Sequence, residues 1–190
     1  MGMLKIIGGY LAGRTILSVP GENTRPPLAR VRESVGNILQ TRVVGSKVLD
    51  LFAGTGSYSF ELLSRGAERA ILIDKNPRAV EIIKKNAAKL GLQSQTQVVH
   101  ADALDMIKRF MQSRETFDII IVAPPYFTRL DQAAMKMLSS KNLLGPDGII
   151  VLQQARKERF HNEYGLLKLR KTYNYGDTRI STYISSEPHG

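Results

Sequence analysis

Three aspartates, each closing an apolar run, are the side chains of this sequence best placed to do chemistry. Val48, Leu49, Asp50, Leu51 and Phe52 lead into Ala53, Gly54, Thr55 and Gly56, the pattern of a strand passing through a glycine turn into a helix. Glycine at such a turn lets backbone N–H groups approach a ligand with no Cβ in the way, so the segment reads as a nucleotide-type cofactor loop. A tight strand-to-helix turn also uses glycine for structural reasons alone. Ser59 stands where a dinucleotide fingerprint wants a third Gly or Ala, and no Gly-Lys-Ser/Thr follows the turn, which disfavours NAD, FAD and a phosphate-gripping loop. Asp50 is a poor neighbour for phosphate and a good one for an ammonium, so the expected ligand carries an amino acid. Asp74 closes the next apolar run, 24 positions after Asp50, where an acid can hold the hydroxyls of a ribose. Asp102 closes the third. Each aspartate alone could cap a helix, Asp74 ahead of Asn76 and Pro77 and Asp102 ahead of Leu104, Ile107 and Phe110. Three acids at three successive strand ends point instead to one ligand-binding edge.

A fourth apolar run, Phe117 to Val122, ends in Ala123, Pro124, Pro125, Tyr126 and Phe127. The proline pair stiffens the turn, and the aromatic after it offers a face on which a planar base can stack. A stiff surface turn with a packing tyrosine is the plainer alternative.

These residues need a scaffold, and the sequence supplies an alternation. Val48 to Phe52, Ala70 to Ile73, Gln97 to His100, Phe117 to Val122 and Gly148 to Leu152 read as strands. Helical spacing lies between them, most clearly after Pro77, where Val80, Ile83, Ala87 and Leu90 form one stripe that ends at Gly91. Such repetition predicts a parallel sheet covered on both faces. Leu166 to Tyr173 and Arg179 to Ser185, joined by Asn174 to Thr178 without a helix, predict a closing antiparallel hairpin. Leu4 to Val19, with Gly8, Gly9 and Gly13, reads as a short bent hairpin, and Val31, Val35, Ile38 and Leu39 as a helix starting near Pro27. The expected division is an extension over 1–46 and a core domain over 47–190.

The composition agrees with one enzyme-sized domain. The chain has 190 residues, 43% hydrophobic and 23% charged, with no cysteine, which excludes disulfides, thiolate metal sites and cysteine nucleophiles. His100, His161 and His189 lack ligand spacing, and no metal is expected. No apolar run reaches the ~20 residues of a membrane span, and no export signal opens the chain, so a cytoplasmic protein is expected. Lys and Arg number 27 against 17 acidic residues, a net charge of +10, which favours a polyanionic partner such as nucleic acid. Arg25, Arg30 and Arg32 lie in the basic first quarter and are the expected phosphate contacts.

The chain resembles the S-adenosylmethionine-dependent methyltransferases, and more closely the bacterial family that methylates the exocyclic N2 of a guanine in 16S ribosomal RNA. The resemblance runs through the N-terminal hairpin, Arg25 and Pro26, Arg30 to Ser34, Asp50 to Gly56, Ser64 to Ala67, the proline pair, and the closing hairpin with Tyr175 and Gly176. It implies a Rossmann-like class I fold: a seven-stranded, mostly parallel sheet with helices on both faces and a C-terminal antiparallel hairpin. It implies that Asp50, Phe52, Ala53, Gly54 and Gly56 hold the methionine part of S-adenosylmethionine. Asp74, with Lys75 beside it, would take the ribose, and Asp102 with Ala103 would lie by the adenine. It implies a catalytic tetrad at Ala123, Pro124, Pro125 and Tyr126, and a monomer acting on 16S ribosomal RNA within a small-subunit assembly particle. The family pattern begins that tetrad with Asp or Asn, so Ala123 departs from it, and slow transfer is expected. Asp118, at the far end of the same strand, is expected to cap the strand entry rather than substitute. N6-adenine methylation of DNA or RNA, and a non-catalytic RNA-binding protein that keeps the cofactor pocket, are the competing readings.

Overall fold

Buried side chains that point alternately to the two faces of each central strand divide the protein into two apolar layers separated by one sheet. The computed structural model describes residues 2–19, 28–113, 115–140 and 143–186. The core strands are β3 (Lys47–Asp50), β4 (Arg69–Asp74), β5 (Thr96–His100), β6 (Phe117–Val122) and β7 (Leu144–Ala155). Val48, Leu72, Ile119, Ile121, Ile149 and Val151 face one layer, while Leu49, Ile71, Ile73, Ile120, Val122, Ile150 and Leu152 face the other. Near-continuous apolar strands are what a parallel sheet buried on both faces requires. Helices α1 (Ala29–Ile38), α2 (Ser57–Ser64) and α3 (Pro77–Leu90) cover the first layer, and α4 (Ala103–Ser113) and α5 (Leu130–Leu138) cover the second.

The sheet order is β5-β4-β3-β6-β7-β10-β9-β8. The first five neighbours pair in parallel, and β9 (Leu167–Tyr175) with β10 (Thr178–Ser185) forms the antiparallel closing hairpin beside β7. The sheet has eight strands where seven were expected, because Glu163 and Tyr164 form a two-residue edge strand, β8, against β9. Two residues carry no detectable period, so such a strand is invisible to patterning. Asp118 does what its position suggested: its carboxylate accepts the Lys47 N–H at 2.7 Å and ties the entry of β3 to that of β6.

The N-terminal hairpin pairs β1 (Met3–Lys5) with β2 (Thr15–Leu17), and it has no core of its own. Ile6, Leu11 and Ile16 belong to the same buried cluster as α1, α2 and the sheet. Polar side chains clamp it down. Glu61, buried in the middle of α2, accepts the Ile7 and Gly8 N–H groups at 2.9 and 2.7 Å, and Ser64 Oγ accepts Leu11 N–H and donates to the Gly8 carbonyl. Asn86 of α3 accepts Leu17 N–H and donates to the carbonyls of Leu17 and Thr55. A fully buried amide with three partners is costly to remove, because the groups it satisfied are left unpaired in a dry interior. Asn86→Ala is expected to lower unfolding stability by about 2–4 kcal/mol, measured as a shift in the urea midpoint at unchanged m-value.

Candidate functional site

Chain direction reverses between β3 and β6: from β3 the sequence proceeds outward through β4 and β5, and from β6 outward through β7. The crevice at such a switch point, above the carboxyl ends of the strands, is where open α/β sheets take ligands. Asp50 ends β3, Asp74 ends β4, Asp102 follows β5, and Ala123 follows β6, so the expected residues of four strands meet along one edge.

Asp50 forms the floor of this crevice. It is 1% exposed; one carboxylate oxygen accepts from Ser59 Oγ at 2.8 Å, and the other, Oδ1, lacks a hydrogen bond of normal geometry. Burial pushes its pKa up to about 7, opposed by the Ser59 hydroxyl, raised further by the nearby Asp74 and lowered by the Phe52 backbone. Above it the chain turns at Gly54 (φ 55°) and Gly56 (φ 77°). At Gly56 a Cβ would strike the Phe60 ring at 2.5 Å, whereas at Gly54 a Cβ would meet nothing within 4 Å. Gly54 therefore serves the left-handed turn and leaves its surroundings open to a ligand. Phe52 is half-buried against the second layer, and Ala53 donates its N–H to the Ile73 carbonyl.

Asp74 Oδ2 accepts the Gly54 N–H at 2.8 Å and Oδ1 the Asn76 N–H at 2.8 Å, so this acid shapes the glycine loop and the entry to α3, while Asn76 is the cap itself. Lys75 is exposed, and its carbonyl meets His100 Nε2 at 3.1 Å. Asp102 is exposed and accepts the Leu104 N–H at 2.9 Å, the capping geometry at the start of α4; Ala103 beside it is buried.

On the other side of the crevice, Pro124 is buried and Pro125 exposed, and the Pro125 carbonyl accepts from Thr128 Oγ1 at 2.7 Å. Phe127 and Arg129 adopt φ of 62° and 60°, a left-handed backbone that costs a non-glycine residue of order 1 kcal/mol or more and clusters at functional loops. Tyr126 is not a free platform. Its hydroxyl pairs with Thr178 Oγ1 at 2.9 Å and accepts from Gln153 Nε2 at 3.2 Å, and Tyr58 donates to Gln153 Oε1. Burial raises the pKa of both phenols, so both stay neutral. Tyr58, Gln153 and Thr178 were missed by sequence reasoning, since they come from distant parts of the chain, Tyr58 lying 95 residues before Gln153.

One of the three arginine expectations changes. Arg32 is 2% exposed and donates to the Lys5 carbonyl at 2.8 Å, so it joins α1 to the N-terminal hairpin and cannot meet a phosphate. Arg25 lies outside the described residues. Arg30 is exposed, with its guanidinium beside Gly176 at the tip of the closing hairpin. Among the described residues no group of three or more His, Asp or Glu is placed to hold a metal, and no helix is long and apolar enough to cross a membrane.

A parallel sheet reversed at β3/β6, a glycine turn at the reversal and an antiparallel terminal hairpin define the class I fold of S-adenosylmethionine-dependent methyltransferases. The chain belongs to the family described as conserved hypothetical protein 95, which it matches over residues 4–184, the family of the small-subunit ribosomal RNA methyltransferase D proteins. Ribosomal RNA small subunit methyltransferase D of Haemophilus influenzae is 33% identical over 153 residues, 80% of this chain and 79% of that one. YlbH of Bacillus subtilis is 31% identical over 180 residues, 95% of this chain and 98% of that one. Among solved structures, yhhF from Escherichia coli superposes with a TM-score of 0.83 at 28% identity, covering 97% of this chain and 98% of that one.

The raised Asp50 pKa makes a stability prediction. The folded chain holds this proton to about pH 7, whereas an unperturbed aspartic acid releases it near 3.8. The folded state thus binds more protons between these values, and stability falls as pH rises across that window. Asp50→Asn is expected to remove the fall and raise stability at pH 8 by on the order of 2–4 kcal/mol, with no gain below pH 4; thermal unfolding at several pH values measures it.

Proposed function

We propose that this protein transfers a methyl group from S-adenosylmethionine to the exocyclic N2 of a guanine in 16S ribosomal RNA, acting in the cytoplasm as a monomer on a small-subunit assembly particle. The observation that carries the reading is the placement of the Ala-Pro-Pro-Tyr turn across the switch-point crevice from the buried, under-bonded carboxylate of Asp50. When bound, S-adenosylmethionine supplies a methyl group on a positively charged sulfur, which leaves as a neutral thioether once the amine lone pair takes the methyl.

The residues present suit this group. Asp50 Oδ1 is a buried acceptor in want of an ammonium, and the open surroundings of Gly54 admit a close approach. Phe52, Ala53 and Gly56 would wall the methionine end, Asp74 and Lys75 would hold the ribose, and Asp102 and Ala103 would lie beside the adenine. Asp74 uses both of its oxygens and Asp102 one to shape turns, and each such oxygen has a second lone pair to offer a ligand.

The guanine amine is a weak nucleophile because its lone pair is delocalised into the ring. Acceptors for its two hydrogens localise the pair toward the methyl. The backbone acceptor in this reading is the Pro124 carbonyl, next in the chain to position 123. Tyr126 supplies the stacking face. Ala123 contributes no acceptor, which also favours the alternative of a non-catalytic RNA-binding protein.

A basic rim surrounds the turn. Glu158 spends both oxygens on the N–H groups of Phe127 and Ala155, the Arg156 N–H donates to the Asp177 carbonyl, and Arg179 donates to the Arg156 carbonyl while stacking on Phe160. These bonds fasten the segment after β7 to the Tyr126 loop and the hairpin tip, with Arg30, Arg129, Arg156, Lys157 and Arg159 exposed around them and Phe127 69% exposed. Clustered cations with an aromatic beside them fit RNA.

Mass spectrometry of nucleosides from ribosomal RNA treated with the protein and S-adenosylmethionine is expected to show N2-methylguanosine; methylated adenine as the product would sink the reading. Ala123→Asp is expected to raise the rate about ten- to two-hundredfold, the value of a charged hydrogen bond of ~1.5–3 kcal/mol. No gain would count against the amine-acceptor argument. Arg156→Ala with Lys157→Ala is expected to weaken RNA binding across sequences and reduce the slope of log affinity against log salt by about 1.5–2, read by titration at several salt concentrations.

A further inference from the structure

Gln153 is a polar residue in a layer that otherwise wants aliphatic ones. It follows Val151 on the same face of β7 and lies opposite Ile180 of β10, both buried in the first apolar layer. A Leu or Val would fill this place without the cost of burying an amide, yet an amide stands there, 8% exposed.

Its position is informative. Val122 of β6 and Leu152 of β7 are paired in parallel register. Ala123, just past the end of β6, and Gln153 of β7 are each one residue beyond that pair, so the register brings them next to one another and toward the same face of the sheet. Ala123 packs against that same layer. The space an acid side chain would take at 123 is therefore bordered by the amide of Gln153.

The orientation of that amide is set from both ends. Tyr58 donates to Oε1, Nε2 donates to Tyr126, and the Tyr126 hydroxyl pairs with Thr178. Two neutral phenols and one amide thus form an ordered run in which the carbonyl end of Gln153 lies toward Tyr58 and the amino end toward Tyr126. A carbonyl oxygen carries two lone pairs, and Tyr58 takes one.

Building on the proposed amine methylation, we infer that Gln153 Oε1 is the side-chain acceptor for the target amine, supplying from β7 the hydrogen bond that position 123 on β6 lacks. The amide accepts a hydrogen bond and takes no proton; the proton displaced from the methylated nitrogen passes to water. Turnover by this chain then runs through Gln153, and because a neutral acceptor is weaker than a charged one, an acid at 123 still adds rate.

The test is a four-member cycle: the unaltered chain, Gln153→Leu, Ala123→Asp, and the two together. Each is assayed in single turnovers at saturating S-adenosylmethionine and ribosomal RNA, with products identified as nucleosides. Gln153→Leu is expected to slow the unaltered chain by about tenfold or more while KM for both substrates moves by less than about twofold, and to slow the Ala123→Asp chain by less than about threefold. Equal losses in the two backgrounds would mean a structural role and overturn the inference. So would no loss, or no turnover by the unaltered chain where Ala123→Asp turns over. Should Gln153→Leu fail to bind cofactor in calorimetry, Gln153→Glu decides: it keeps an acceptor, so retention of the rate within about threefold supports the assignment and a loss beyond about tenfold overturns it. A product other than N2-methylguanosine defeats the underlying reading, whereas equal losses with N2-methylguanosine as product defeat only the role of Gln153.

Discussion

A carboxylate taken out of water sets the terms for this fold. Asp50 ends a strand in the middle of the sheet, where β4 lies on one side and β6 on the other, and no ion pair among the described residues relieves it; Ser59 gives it one hydroxyl. An interior that keeps such a group, at the cost of a carboxyl pKa near neutrality, is arranged around a ligand rather than for stability alone. The glycine turn, α2 and the reversal of strand order all meet at this one side chain.

The second constraint lies in α2, whose eight residues are all buried, four of them polar: Ser57, Ser59, Glu61 and Ser64. A helix buried all round places its polar groups only where partners wait for them. Ser59 faces the sheet and holds Asp50; Glu61 and Ser64 hold the N-terminal hairpin. Asn86 does the same from α3, joining the hairpin to the carbonyl of Thr55 inside the glycine loop. The hairpin is thus bonded to the elements that build the crevice, and a shift of one is felt by the other.

What could be read in the sequence was whatever a period or a local turn encodes. The five parallel strands, the stripe of α3 with its Gly91 stop, and the three strand-ending acids all carry local signals. Local signals fail where partners come from afar. The charge of Arg32 says nothing of burial, and only the folded chain shows the Lys5 carbonyl waiting for it. Gln153 and Gln154 both fall past Leu152, where the strand was expected to end, and what sets Gln153 apart comes from Tyr58 and Tyr126, brought to it from two other elements. Glu158 resembles a surface charge until the Phe127 and Ala155 amides are seen to close on it.

Tyr58 connects the two halves of the crevice. Its pKa is raised by burial first and then by Tyr126 and Asp50, so it stands near both of these groups. An acid at 123 would join this company. Asp50 is paired with Ile121 on β6, two residues short of position 123, which puts a carboxylate there roughly 7–8 Å from Asp50. Two like charges in so dry a place each raise the other's pKa, and Asp50 already titrates near 7. Alanine on β6 with an amide on β7 gives the site a hydrogen-bond acceptor without a second negative charge. The arrangement forgoes transition-state stabilisation from a charged acceptor and keeps Asp50 easier to ionise, which is the form an ammonium requires. Stability and turnover therefore pull position 123 in opposite directions, and the residues around it fix where the balance falls.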